Sequence, residues 1–186
     1  MTIHKTVLDK DFELVQGDFE FDYQTDLTLK LDNTTELFNQ EIINEIVLWK
    51  VNRYASLDSD TLQILNELDP NSTVLDKDKT KKILKILIQK KGIQLAMAST
   101  ILRFKNKNIY QIIDQRVYRV IYKGKKLKLK TYPSDKNLDE QVDLYIQYIK
   151  DLQDVCENLD IPFDKSDRIL FMVDRRINKS NLLENY

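Results

Sequence analysis

Apolar residues recur along this chain in two rhythms. Near the amino terminus Phe19, Phe21 and Tyr23 alternate with Asp18, Glu20 and Asp22, which is the period of a half-buried strand. The spacing predicts an extended arm or short hairpin within an acidic stretch from residue 1 to about 33. Beyond it the period changes to threes and fours. Thr34 and Thr35 offer hydroxyls to cap a first turn, and Phe38, Ile42, Ile43, Ile46, Val47 and Tyr54 then mark one helical face. A second helix is predicted from about Asp60, carrying Leu62, Ile64, Leu65 and Leu68 until Pro70-Asn71-Ser72 closes it. A third spans about Asp76 to Lys90, with Ile83, Leu84, Ile86, Leu87 and Ile88 inward and its lysines outward. Gly92 follows it.

Leu95 to Phe104 is a compact apolar stretch that Asn106–Asn108 interrupts, and Gln115 to Tyr122 reads as a further helix with Asp114 placed to cap it. The segment Lys123 to Lys130 alternates weakly and suits a basic loop or ribbon. Leu138, Val142, Tyr145, Ile149, Leu152, Cys156 and Leu159 then step by four and three through one long helix, a core seam rather than a coiled coil. A last helix follows Ser166 with Ile169, Leu170, Val173 and Ile177. The expected fold class is all-α: an acidic extended or β arm over 1–33, then a helical domain over 34–186.

Composition agrees with this pattern. Gly and Pro number three each among 186 residues while charged residues reach 32%, a mix that suits helices and leaves few positions for the turns of a β-sandwich. Cys156 is the only cysteine and His4 the only histidine. An intramolecular disulfide, a four-thiolate iron–sulfur or zinc site, Ser-His-Asp and Cys-His triads and HExxH zinc chemistry therefore lack their residues. No signal-like segment opens the sequence, and no apolar run nears the roughly 18 residues of a membrane helix. The expected compartment is the cytoplasm.

Charge changes the picture more. Residues 77–130 hold 17 Lys and Arg against two acids, Asp78 and Asp114, so 17 − 2 gives +15; the remainder holds 12 basic residues against 28 acids, or −16. Separation of this kind suggests a positive face for a polyanion, whose phosphates it neutralises while counterions are released. A solvated lysine-rich surface is the plainer alternative.

Within the basic block, Lys90-Lys91-Gly92-Ile93-Gln94-Leu95-Ala96-Met97-Ala98-Ser99-Thr100-Ile101-Leu102 and Ile112-Ile113-Asp114-Gln115-Arg116-Val117-Tyr118-Arg119-Val120 resemble the helix-hairpin-helix DNA glycosylase superfamily, to which endonuclease III and the 8-oxoguanine glycosylases belong. The resemblance covers about thirty residues directly. It implies a helix-hairpin-helix bundle whose glycine hairpin grips the DNA backbone and whose Asp114 stabilises the sugar cation formed as a base leaves. By the same resemblance the DNA-contacting set is Lys90, Lys91, Gly92, Gln94, Ala96, Arg103, Lys105 and Arg116, and Trp49, Lys50 and Arg53 fall where relatives probe or replace the target base. Ala96 stands where bifunctional members carry a Schiff-base lysine, which implies hydrolysis without strand cleavage. Lys91 replaces the family's proline, Gln94 its second glycine, and the cluster-binding cysteines are missing. The implied partner is DNA, with no cofactor, metal, iron–sulfur cluster or membrane.

Plainer roles stand beside these. Asp114 is also a good N-cap, Gly92 a good helix C-cap, and Trp49 a good core residue. Arg116 and Arg119 are placed either to brace Asp114 or to meet phosphate. Two rival functions remain open: a DNA-binding protein that keeps the fold without excision, and a protein-interaction module whose acidic and basic halves recognise partners or each other.

Overall fold

The computed structural model describes residues 24–35, 37–50, 55, 57–130 and 134–179. They are helical, with no strand among them. Phe19, Phe21 and Tyr23, on which the expected strand rests, lie outside the described residues. Two compact units divide the chain between residues 54 and 55.

The first unit contains α1 (Thr25–Asp32) and α2 (Gln40–Lys50), packed on each other. Helix α1 corrects the extended reading for the end of the 1–33 arm. Leu27, Leu29 and Leu31 satisfy a period of two, but Leu27 and Leu31 also share a helical face at i, i+4. Burial selects the helix, with Leu27 enclosed and Leu29 left 57% exposed. The next helix starts later than Thr34–Thr35. The Thr34 hydroxyl donates back to the Lys30 carbonyl at 2.9 Å, and Asn39 Oδ1 caps α2 by accepting the Ile42 N–H at 3.0 Å. Lys30 and Glu45 join the two helices through an ion pair of 2.5 Å.

The second unit holds α3 (Ser59–Asn66), α4 (Lys77–Ile88), α5 (Leu95–Lys105), α6 (Gln115–Ile121), α7 (Asp135–Leu159), a single 3-10 turn at Phe163–Lys165, and α8 (Ser166–Ile177). Four of these helices begin as their sequences dictate. Side-chain oxygens of Asp58, Asp76, Asp114 and Ser134 accept the N–H of Thr61, Lys79, Val117 and Asn137 at 2.8, 2.9, 2.8 and 3.3 Å, each satisfying an otherwise orphaned donor. Helix α4 packs against α5 and α7, and α6 against α8. Their shared core includes Leu84, Leu87, Leu95, Leu102, Ile113, Val117, Tyr145, Ile149 and Leu152, all buried. Burying one such side chain fully contributes about 1.5–3 kcal/mol, so this seam is the main source of order in the unit.

The basic segment after α6 is an irregular loop. Gln115 holds it from both sides, accepting the Leu127 N–H at 2.9 Å and donating to the Leu127 carbonyl at 2.5 Å, which leaves Leu127 buried in the core.

Candidate nucleic-acid interface

The hairpin between α4 and α5 is built by a glycine in a conformation other residues avoid. Helix α4 is C-capped by Gln89, so Gly92 lies beyond the cap, in the connecting turn, with φ +81°. That left-handed region costs an L side chain roughly 1 kcal/mol or more. Lys90 N–H bonds back to Leu87 O at 3.0 Å and Ile93 N–H to Lys90 O at 3.1 Å, while Ile93 and Leu95 are buried and fasten the turn to the core. Gln94 is the N-cap of α5 but supplies no side-chain acceptor to the first-turn amides. These amides, with the helix dipole behind them, suit an anion. Lys91 and Gln94 are exposed beside them and Ala96 is half-buried in the first turn.

The carboxylate of interest sits at the next junction. Three backbone groups ahead of it are held by side chains: Tyr145 donates to Gln111 O at 3.0 Å, Tyr148 to Ile112 O at 2.7 Å, and Ser99 Oγ accepts the Ile113 N–H at 3.2 Å. Ile113 itself is fully buried. Asp114 is thus fixed in place, half-buried, with Oδ1 capping α6 at Val117. Burial raises its pKa above the ordinary carboxylate value; hydrogen bonds from the Val117 and Arg116 amides and the Arg116 charge oppose the rise, and Asp167 adds to it. A carboxyl with this balance is a candidate for chemistry as well as a cap.

Several expected DNA contacts have other partners. Arg103 is only 6% exposed; its Nη2 donates to Asp164 O at 3.1 Å and its Nε lies 3.6 Å from Asp167 Oδ2. It belongs to the interior, and its place on a DNA-facing surface is corrected accordingly. Arg116 donates to Asp174 Oδ2 at 3.0 Å and stacks over the Phe171 ring at 5.4 Å. Arg119 grips the same carboxylate with Nε at 2.5 Å and Nη2 at 2.8 Å. The arginines therefore engage Asp174 on α8, not Asp114. Burial would raise the Asp174 pKa, but hydrogen bonds from Arg119, Asn178 and Arg116 outweigh it and hold the group below its usual value. Lys90 pairs with Asp58, the α3 cap, whose carboxyl this pair holds well below the usual range. Lys105 reaches the Asn66 carbonyl at 3.5 Å.

Sequence reasoning missed Asp174 and Asp167. A signal existed for the first: Asp174 lies four residues after buried Leu170, on a face where an acid is out of place unless paired.

The positive face is also less open than the sequence suggests. Lys81 pairs with Asp143 at 2.7 Å, Lys130 with Glu140 at 2.9 Å, and Lys85 with Asp139. The acidic side of α7 thus takes up part of the basic block.

In the first unit, the Trp49 indole N–H donates to Thr28 Oγ1 at 2.9 Å and its carbonyl accepts Gln24 Nε2 at 2.9 Å. Trp49 ties α2 to α1, and Lys50 is exposed in the last turn of α2. Arg53 lies outside the described residues. A cleft of about 450 Å³ is lined by residues including Asn108, Cys156, Glu157, Asp160 and Phe163. A smaller one of about 100 Å³ lies at the hairpin between Ile93, Gln94, Leu129 and Gln141. Asp114 lines neither. Among the described residues no helix is long and apolar enough to cross a membrane, and no group of three or more His, Cys, Asp or Glu side chains gathers to hold a metal ion. The chain matches no protein-family model, no curated protein and no solved structure.

Proposed function

We propose that this protein is a monofunctional DNA glycosylase of the helix-hairpin-helix type. The α4–α5 hairpin holds a phosphate of the backbone through the first-turn amides of α5 and the Lys91 ammonium. An everted nucleotide then presents its anomeric carbon to Asp114. As the C–N bond breaks, the carboxylate stabilises the positive charge spread over the sugar and orients a water. The water oxygen bonds to the anomeric carbon, one of its protons passes to the carboxylate, and the base leaves with the bonding pair and is protonated in turn. Ala96 cannot form a Schiff base, so the abasic strand stays intact.

The observation that carries this reading is the pairing of a left-handed glycine hairpin with a carboxyl fixed by Ser99, Tyr145 and Tyr148 and desolvated enough to raise its pKa. Desolvation strengthens the attraction between that carboxylate and a nearby cation. Incubating the protein with duplexes bearing deaminated, alkylated, oxidised or mismatched bases tests it, with strand breaks read before and after alkali. The expected result is breakage after alkali only, and its loss in Asp114→Asn by at least about a hundredfold with DNA affinity retained. Base release that survives Asp114→Asn rejects the assignment.

A second reading, a DNA-binding protein without excision, is favoured by one observation: the Asp114 carboxyl already serves as the α6 cap and lines neither cleft. Under it the hairpin still binds DNA, and no duplex of the panel loses a base.

A further inference from the structure

Helix α8 carries as many acids as its neutral appearance requires, yet none of them faces out. Asp167 and Asp174 are buried at 3% and 0% exposure, and are engaged by Arg103 in the one case and by Arg116 and Arg119 in the other. Its cations do the opposite. Arg168, Arg175 and Arg176 are exposed, as is Lys179 just past the helix end, and none of the four makes an ion pair among the described residues. At 3.6 residues per turn, Arg168, Met172, Arg175 and Arg176 fall within an arc of roughly 100°. Met172, 57% exposed, lies inside that arc.

We infer that this outward stripe of α8 is a second phosphate-contacting surface, taking the backbone of DNA in addition to the hairpin. From Arg168 to Lys179 the stripe runs about 16 Å at 1.5 Å per residue, the length of roughly five phosphates of one strand at 3.4 Å each. Guanidinium groups suit the partner because each offers a planar fork of donors to phosphate oxygens. An anionic membrane fits less well. A helix that lies on lipid inserts its apolar face, and that face of α8, through Leu170, is already packed in the core. The inference rests on the reading that the partner is DNA, and its test separates the two.

A fluorescein-labelled duplex is titrated with the full chain, and the anisotropy series is repeated between about 50 and 200 mM salt. The wild type should bind with a steep salt dependence. The triple variant Arg168→Ala, Arg175→Ala, Arg176→Ala should bind about tenfold or more weakly and lose about two to three units of the log–log slope, near 0.9 per phosphate released. Lys150→Ala, an exposed lysine of α7, should change neither by as much. If the triple variant does not fold, Arg175→Glu carries the same comparison. Unchanged affinity and slope in the variants, with the wild type binding steeply, overturns the α8 surface and leaves the proposed function standing. No DNA binding by the wild type overturns both. Co-sedimentation with phosphatidylserine vesicles that depends on the three arginines, without DNA binding, assigns the stripe to a membrane and likewise overturns the inference.

Discussion

Helices α4 and α8 differ in opposite senses in sequence and in space. Helix α4 has five lysines and one acid and reads as the most basic element of the chain, whereas α8 sets three arginines against two aspartates. In the fold, Lys81 and Lys85 of α4 face Asp143 and Asp139 of α7, and Lys79 donates to the Glu67 carbonyl at 3.1 Å. Helix α8 turns both acids inward and leaves its arginines in solvent. Formal charge summed along a segment therefore does not give the potential at its surface. Packing decides which charges reach solvent unpaired, and in an amphipathic helix the acids and bases need not fall on the same face.

The largest expected effect comes from breaking the inward side of α8. Asp174→Asn leaves Arg119 and Arg116 without their carboxylate, and removing one partner of a buried pair costs about 3–5 kcal/mol; urea unfolding measures it. Because the Asp174 pKa is lowered in the folded state, its contribution is fully present above the unfolded value near 3.9 and is lost as pH falls through the folded one. The acid limb of the stability curve should flatten in the variant.

Asp114 behaves in the reverse sense. Its raised pKa means that the folded state binds the proton more tightly. Stability from this group is present at low pH and declines as pH rises from the unfolded value to the folded one. Asn caps a helix as well as Asp, so Asp114→Asn should equal or exceed the wild type in thermal stability at neutral pH, while Asp114→Ala loses about 1 kcal/mol with the cap. A clear loss of stability in Asp114→Asn contradicts the desolvation argument.

The outward side of α4 should respond least in stability. Lys81–Asp143 and Lys85–Asp139 are exposed pairs and contribute at most about 1 kcal/mol each. Neutralising the acids as Asp139→Asn with Asp143→Asn frees both lysines, so DNA affinity should rise by a few-fold while unfolding changes little. Unaltered affinity would show that these lysines face away from the DNA.

Much of the fold could be read in the sequence where the signals are local. Asp58 was not singled out, but Asp76, Asp114 and the stride from Leu138 to Leu159 mark α4, α6 and α7 through caps and periodicity that neighbours in the chain supply. Helix α1 escaped because Leu27, Leu29 and Leu31 fit both a strand and a helix. The side-chain partners escaped for another reason. Arg103 and Arg119 look like surface cations beside Asp114, and the carboxylates that hold them, Asp167 and Asp174, come more than fifty residues later. The Asp114 cap was legible at short range; the Ser99, Tyr145 and Tyr148 bonds that fix the preceding loop were not, since they join elements whose packing the sequence does not state.

The hairpin is the feature on which both functional readings depend, and Lys91 is its exposed cation. Duplex affinity of Lys91→Glu against the wild type, with thermal stability as the control for folding, tests it most directly. The account predicts at least about a tenfold loss of affinity at low salt, from one lost and one reversed phosphate contact, with melting unchanged. Equal affinity in a folded variant would contradict the placement of DNA at the α4–α5 turn.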